Sequence, residues 1–336
     1  MILPSWLPGA ATVAGLGEPL DPATIAAAVD LIHPAFRASP AFVSDELSAR
    51  ADTQIVVKLD CVNPIGAFKG RGTWLAVRRL VEERRVGPDR PLVVASTGNF
   101  GQGAAFAGRA FGVPVVVYAD TAANPTKLAR IRAFGATVVQ EGSDFDEARA
   151  AAERYARDQG AVLLVDGADH WVATGAASIA LELTEAAGRG ALPHLATAFV
   201  PVGNGALIVG IGAWLRHAAP ACRVVGVQSE RAPSMTLSWR AGRPLETERA
   251  DTFAGGIATR VPVPEALDAM RGRVDDMVLV GDDELRAAQA ELSEVLAVAV
   301  EGGGAASWAA IRAAARAGTL AGPALVLVTG SNAEPA

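Results

Sequence analysis

From Gln54 onward the chain alternates short apolar runs, rich in β-branched residues, with longer amphipathic segments. The runs predict strands at 55–59, 91–95, 114–118, 137–139, 162–165, 198–202, 224–227 and 324–328. Strands that are apolar throughout are buried on both faces, and a helix between successive strands is typical of parallel pairing. The sequence therefore predicts an α/β fold with open, mostly parallel twisted sheets, and it excludes all-β and helix-bundle folds.

Length and charge limit the classes of function. A chain of 336 residues predicts about two domains, and no long linker separates them. The formal net charge of −6 gives no basic surface for nucleic acid or for an anionic membrane. The start, Met1 to Trp6, has no basic region followed by a long apolar stretch, so cytoplasm is the expected location.

Cysteine and histidine are too sparse for common metal sites. Cys61 and Cys222 are the two cysteines of the sequence, and the four histidines have no metal-type spacing. We interpret Cys61 as a buried structural thiol, because no partner base lies near it in sequence. The glycine-serine segments also lack the Gly-x-Ser-x-Gly pattern of serine hydrolases.

Lys69 has the most distinctive surroundings of any charged residue. It stands in the segment Asn63-Pro64-Ile65-Gly66-Ala67-Phe68-Lys69-Gly70, directly after the predicted strand 55–59. A lysine placed among glycines and beside an aromatic ring, where a strand passes into a helix, indicates an amine with a chemical role. The alternative is a surface lysine whose stem packs on Phe68.

Two further strand ends carry glycine-rich loops. Ser96-Thr97-Gly98-Asn99-Phe100 follows the strand at 91–95 and predicts a binding site for a carboxylate at the start of a helix. Gly203-Asn204-Gly205-Ala206-Leu207 follows the strand at 198–202 and predicts a phosphate site. A dinucleotide site is excluded, because the glycine spacing differs and Gln228 stands after the next strand instead of an acidic residue.

These segments resemble, in order, the Pro-x-Gly-Ser-Phe-Lys, Ser-Ser-Gly-Asn-His and Pro-Val-Gly-Gly-Gly-Gly segments of the serine/threonine dehydratase family, the fold-type-II pyridoxal-phosphate (PLP) enzymes. The similarity extends from about Ser39 to Asn332. It implies that Lys69 holds PLP as an imine and that Thr329 faces the pyridine nitrogen. It also implies that Phe68 and Gly256 lie on opposite faces of the ring. The implied cofactor-binding residues are Phe68, Lys69, Asn99, Gly203, Asn204, Gly205, Ala206, Leu207, Gly256 and Thr329.

The resemblance also implies a reaction. Lys69 removes the α-proton of an amino acid, Thr97 is a second acid or base, and the β-hydroxyl leaves as water, protonated by the cofactor phosphate. The products are a 2-oxo acid and ammonia. The implied substrate-binding residues are Ser96, Thr97, Gly98, Asn99 and Phe100.

Family architecture implies a small domain at 90–165 inside a larger one at 1–89 and 166–336, with the cofactor between them. A homodimer is expected, with no nucleic-acid or membrane partner. A β-replacement synthase of the cysteine or diaminopropionate synthase type has the same loops and stays open, as does a non-catalytic PLP-binding module.

Several positions depart from the family pattern. Phe100 replaces His, and Ala176 and Ala177 replace Gln and Gly near the expected substrate side chain, which predicts a less polar pocket and a bulkier substrate than serine. Gln228 and Ser234 replace the two carboxylates that bind a divalent cation in some relatives, so no metal site is expected.

Overall fold

The computed structural model describes residues 12–333 and, apart from the side chain of Ala14, all of their side chains. The terminal segment Met1 to Trp6, on which the expected location depends, lies outside the described residues. The chain divides into two compact units: the first contains the described residues up to Arg37 and Lys69–Gly175, and the second contains Ala38–Phe68 and the described residues from Ala176 onward.

The described residues form ten strands and twelve α-helices. The strands are β1 Ala41–Val43, β2 Ile55–Leu59, β3 Leu92–Ala95, β4 Val115–Ala119, β5 Thr137–Gln140, β6 Val162–Leu163, β7 Thr197–Pro201, β8 Arg223–Ser229, β9 Asp276–Val280 and β10 Ala324–Val328. The helices are α1 Pro22–Ala28, α2 Asp45–Ala51, α3 Lys69–Glu82, α4 Asn99–Phe111, α5 Pro125–Ala133, α6 Phe145–Gln159, α7 His170–Gly188, α8 Ala206–Ala218, α9 Ser234–Ala241, α10 Pro264–Met270, α11 Asp282–Leu296 and α12 Ala306–Arg316. Every strand predicted from sequence is present, whereas β1 and β9 were not predicted.

The first unit contains a four-stranded parallel sheet in the order β5-β4-β3-β6. Helix α6 covers one face, where Ala151, Ala152 and Ala156 pack against Val93 and Tyr118. The helix begins there because the Asp144 side chain accepts a hydrogen bond from the Glu147 N–H. All four strands fall within the predicted small domain, 90–165, although the unit itself is wider. The predicted domain limits stay a prediction.

The second unit contains a six-stranded sheet in the order β1-β2-β10-β7-β8-β9. Strand β1 is antiparallel to β2, and the other pairs are parallel. Trp308 of α12 is buried in the core between this sheet and helices α11 and α12. The prediction of an α/β fold with two mostly parallel sheets is therefore confirmed.

One charge lies inside the larger sheet. Lys58 of β2 is 1% exposed, and its Nζ lies 2.5 Å from the Glu182 carboxylate and donates to the Ser39 carbonyl at 2.7 Å. A buried ammonium is tolerated when a carboxylate and a carbonyl replace its water. This pair explains why a lysine interrupts an otherwise apolar strand. Within residues 12–333, no helix combines the length and the apolarity needed to cross a membrane.

Candidate active site

The loop before Lys69 is held in place within the second unit. The Asn63 side-chain oxygen accepts a hydrogen bond from the Ile65 N–H at 3.2 Å. The Phe68 N–H donates to the Thr329 carbonyl at 3.0 Å, just beyond the end of β10. The loop that precedes Lys69 is therefore tied to the strand end that carries Thr329, so Phe68 and Thr329, two of the predicted cofactor-binding residues, lie next to each other.

Lys69 is the first residue of α3, and its amine forms a two-pronged ion pair. Its Nζ lies 2.9 Å from Oδ1 and 2.7 Å from Oδ2 of Asp166. The two side chains are 15% and 11% exposed. The same Nζ lies 5.8 Å from the ring centroid of Phe100. The structure thus brings together two predicted residues, Lys69 and Phe100, and one that sequence reasoning missed, Asp166.

Sheet topology explains why Asp166 reaches this place. Strands β3 and β6 are parallel neighbours, with Leu92 opposite Val162 and Val93 opposite Leu163. The carboxyl ends of parallel strands meet at the same edge of a sheet. Ser96 lies three residues after Val93, and Asp166 lies three residues after Leu163, so the two loops begin at the same edge of the sheet. The sequence does show an acidic residue directly after an apolar run, which marks the end of a strand. Without the order of the strands, however, this feature does not reveal that Asp166 lies beside Lys69.

Helices α3 and α4 approach each other closely one turn after they begin. A side chain at Gly103 of α4 would come within 2.5 Å of the Thr73 hydroxyl of α3, so only glycine fits there. Thr73 and Gly103 lie four residues after Lys69 and Asn99, the first residues of their helices. The close packing therefore places the first turns of both helices side by side.

The loop between β3 and α4 is organised by Ser96. Its Oγ accepts hydrogen bonds from the N–H groups of Gly98 at 3.2 Å and Gly101 at 3.0 Å, and the residue is 7% exposed. Thr97, Gly98 and Asn99 remain partly accessible. The N-cap residue of α4 is Gly98, which has no side chain, and the Ser96 hydroxyl accepts from one N–H of the first turn, that of Gly101. A helix start with accessible polar neighbours suits a carboxylate. Ser96 itself shapes the loop.

The second glycine-rich loop forms the start of α8 in the second unit. Gly205 is the N-cap, with φ of 95°, and as a glycine it has no side chain that could cap the helix. The N–H groups of Ala206 and Leu207 belong to the first turn and have no intrahelical acceptor. A side chain at Gly203 would lie 2.5 Å from the carbonyl oxygen of Gly256. The predicted residues Gly203 and Gly256 are therefore in contact, beside a helix start that suits a phosphate.

Glu301 connects Gly256 with the end of β10. Its N–H donates to the Gly330 carbonyl at 3.1 Å, and its Oε1 lies 3.8 Å from the position of a side chain added at Gly256. Thr329 is 4% exposed beside Gly330. Glu301 is not among the site residues predicted from the sequence.

Each unit carries groups that fit PLP. The first unit has the amine of Lys69, and the second has an uncapped helix start for an anion. Gly203 leaves no room for a side chain at the loop before α8, because the Gly256 carbonyl oxygen lies against it. The hydroxyl of Thr329 provides a neutral polar group at a strand end.

Gln228 and Ser234, which stand where some relatives have cation-binding carboxylates, form hydrogen bonds to nearby residues. Gln228 is fully buried, and its Oε1 accepts from both the N–H and the hydroxyl of Thr236 at 2.9 Å. The Ser234 hydroxyl donates to the Thr259 carbonyl at 2.6 Å. No group of three potential metal ligands occurs within the described residues.

Comparison with known proteins identifies the family. The family model described as "Pyridoxal-phosphate dependent enzyme" matches residues 32–330. The chain is 37% identical to L-threonine ammonia-lyase of Thermotoga maritima over 268 residues, which are 80% of this chain and 65% of that protein. It is 33% identical to L-threonine ammonia-lyase of Geobacter sulfurreducens over 87% of this chain and 70% of that protein. The match thus spans about two thirds of the length of these relatives.

Among solved structures, a T.th. threonine deaminase superimposes with a TM-score of 0.84 and 27% identity, over 93% of this chain and 98% of that chain. The sequence motifs, the two mostly parallel sheets and the family match all agree. The chain belongs to the fold-type-II pyridoxal-phosphate-dependent enzymes, in the serine/threonine dehydratase family, and its cofactor is PLP.

Proposed function

We propose that the protein is a PLP-dependent ammonia-lyase that converts a β-hydroxy amino acid, similar to threonine or serine, to a 2-oxo acid and ammonia by α,β-elimination. One observation carries the proposal. The amine of Lys69 is held by Asp166 at the first turn of α3, beside the first turn of α4 with its accessible Thr97, Gly98 and Asn99. The names of the relatives support the same class of reaction.

Each group of residues has a role in the proposal. The α8 start, Gly203 to Leu207, would hold the phosphate of PLP, and Lys69 would hold its aldehyde carbon. Asn99, Phe68, Gly256 and Thr329 would contact the rest of the cofactor. PLP, when bound, withdraws electrons from Cα of an attached amino acid and so acidifies the α-proton.

The chain's own residues would then move the protons. The start of α4 would bind the substrate carboxylate, which orients the Cα–H bond. Nζ of Lys69 would accept the α-proton, and Thr97 would serve as the second acid or base. Phe100, which is 5% exposed and lies near Nζ, would exclude water from the amine.

The proposal extends to the substrate, the assembly and the location. Phe100 and the buried Ala176 and Ala177 favour a side chain bulkier than that of serine. A homodimer and a cytoplasmic location complete the proposal. A β-replacement synthase would use the same cofactor residues but would need a second nucleophile.

The first experiment tests the amine. Purified wild-type protein should be yellow, and the mass of the borohydride-reduced protein should show PLP on Lys69. It should release a 2-oxo acid from a panel of β-hydroxy amino acids. Lys69→Ala should lose the colour, the mass increase and turnover together. Wild-type protein that stays colourless with added PLP would contradict the proposal, and colour without 2-oxo acid release would favour the synthase or a binding module.

A further inference from the structure

Asp166 was not predicted, and its carboxylate lies nearer to the Lys69 amine than the ring of Phe100 does. The two oxygens are 2.9 and 2.7 Å from Nζ, distances at which a proton moves directly between nitrogen and oxygen. Both side chains are mostly buried, which strengthens their interaction and limits competition from water.

The proposed elimination needs an acid as well as a base. Lys69 can remove the α-proton, but a β-hydroxyl leaves readily only when it is protonated and departs as water. The acid must therefore lie near the base, since Cα and Cβ are bonded to each other. Asp166 meets this requirement because its carboxylate touches Nζ of Lys69.

We infer that Asp166, rather than the cofactor phosphate that the family resemblance implies, is the acid that protonates the departing β-hydroxyl, using the proton that Lys69 takes from Cα; this rests on the proposed elimination. The Cα–H bond breaks, its proton goes to Nζ, and its electron pair forms the Cα=Cβ bond. Nζ passes a proton to Asp166, which donates it to the β-oxygen as the Cβ–O bond breaks. The oxygen keeps the electron pair of the broken Cβ–O bond and leaves as water. Protons and electrons therefore balance without a further reactant.

The inference also limits the leaving group. A hydroxyl needs the proton from Asp166, whereas chloride leaves without one. Asp166 is therefore expected to matter for L-serine and L-threonine and to matter little for β-chloro-L-alanine. This difference separates an acid from a residue that only orients Lys69, which would affect both kinds of substrate equally.

Asp166→Asn removes the acid and keeps the shape of the side chain. The matched control is Asp169→Asn in the same turn. Asp169 is 17% exposed, accepts the Trp171 N–H at 2.8 Å and pairs with Arg79 at 3.1 Å. PLP titration of the apoprotein by absorbance, the borohydride-reduced mass and the melting temperature establish cofactor binding and folding independently of turnover.

Asp166→Asn is expected to bind PLP within about threefold of wild type, to eliminate chloride at nearly the wild-type rate, and to lose about 100-fold or more of kcat with L-serine and L-threonine. In deuterated water, the L-serine recovered from this variant should gain α-deuterium, because Lys69 still removes the proton. Asp169→Asn should match wild type in PLP binding and in its turnover of every substrate.

Three results would overturn the inference. Equal loss with the chloride and hydroxyl substrates, or lost PLP binding, would make Asp166 an orienting or structural residue. Retained turnover of L-serine would place the acid elsewhere, such as on the cofactor phosphate. If wild-type protein itself released no 2-oxo acid from any β-hydroxy amino acid, the proposed function would fail first, and the inference with it.

Discussion

At the scale of single residues, the predicted site residues include buried side chains and a few accessible ones. Phe100 and Thr329 are 5% and 4% exposed, whereas Thr97 and Asn99 remain partly accessible. The buried residues shape the environment of the reacting atoms, and the accessible ones can meet a substrate. Substitutions at buried positions should therefore change specificity or rate more than they change binding of the substrate carboxylate.

Phe100→His is expected to shift preference toward smaller, polar substrates. In the wild-type protein, β-hydroxy amino acids with a bulkier or more apolar side chain than serine should have the higher kcat/KM, because each methylene in an apolar pocket contributes about 1 to 3 kcal/mol of discrimination. The kcat/KM values of both proteins over the same panel measure this. If serine is the best substrate of the wild type and Phe100→His changes nothing, Phe100 does not line the substrate pocket.

Thr329→Asp is expected to slow elimination by at least about tenfold. If Thr329 faces the ring, as we propose, a buried carboxylate at this position would keep the pyridine nitrogen protonated because it favours a neighbouring cation, whereas a hydroxyl would leave the nitrogen neutral. The value of kcat and the visible spectrum during turnover measure the change, and Thr329→Ser serves as the control that keeps the hydroxyl. Unchanged kinetics and spectra in Thr329→Asp would show that Thr329 does not face the ring.

At the scale of elements, we propose that helix starts provide the binding positions. The α4 and α8 helices both begin after parallel strands, and the N-cap residue of each is a glycine. The N–H groups at a helix start carry partial positive charge, which suits a carboxylate or a phosphate. Gly203 is needed because the backbone of Gly256 packs directly on it, and Gly205 is favoured because its φ is 95°.

Gly203→Ala is expected to weaken PLP binding at least tenfold and to lower the melting temperature. The added methyl group would lie 2.5 Å from the Gly256 carbonyl oxygen, so the loop must move away from its position at the α8 start. PLP titration and thermal unfolding measure the two effects.

Gly188→Ala is the control for that substitution. Its added methyl group meets no atom within 4 Å, so PLP affinity should not change and stability should stay equal or rise slightly. Equal PLP affinity of Gly203→Ala and wild type would show that this loop does not bind the cofactor phosphate.

At the scale of the whole molecule, the cysteines report on folding. Cys61 and Cys222 are 3% and 2% exposed, and burial raises the pKa of each thiol to about 11. The interpretation of Cys61 as a buried thiol agrees with this environment. Neither residue is suited to act as a nucleophile at neutral pH, because the thiolate is the reactive form.

Both cysteines are therefore expected to resist iodoacetamide at pH 8 in the native protein. With a pKa of about 11, roughly one thiol in a thousand is ionised at that pH, and the folded chain blocks access to it. In urea both should react fully, as the mass of the alkylated protein will show. Fast labelling of Cys61 in the native protein would mean that the segment before Lys69 opens on its own.

Much of this protein follows from local sequence. The apolar runs predicted eight of the ten strands, because a strand buried on both faces needs a continuous apolar segment. The two that were missed, β1 and β9, lie at the edges of the larger sheet, where short length or partial exposure weakens that signal. Lys69 and the glycine-rich loops were recognised because the features that mark them, an adjacent aromatic ring and closely spaced glycines, lie next to each other in the sequence.

Only the tertiary structure decided which distant residues meet. Asp166 lies 97 positions from Lys69, and its place beside the amine depends on the pairing of β3 with β6. The contact of Gly203 with Gly256, and the hydrogen bond that ties the Phe68 loop to the end of β10, likewise join segments far apart in the chain. Periodicity and motifs report on a residue's neighbours in sequence, whereas strand order and helix packing arise from burial over the whole chain, and these determine the partner of Lys69.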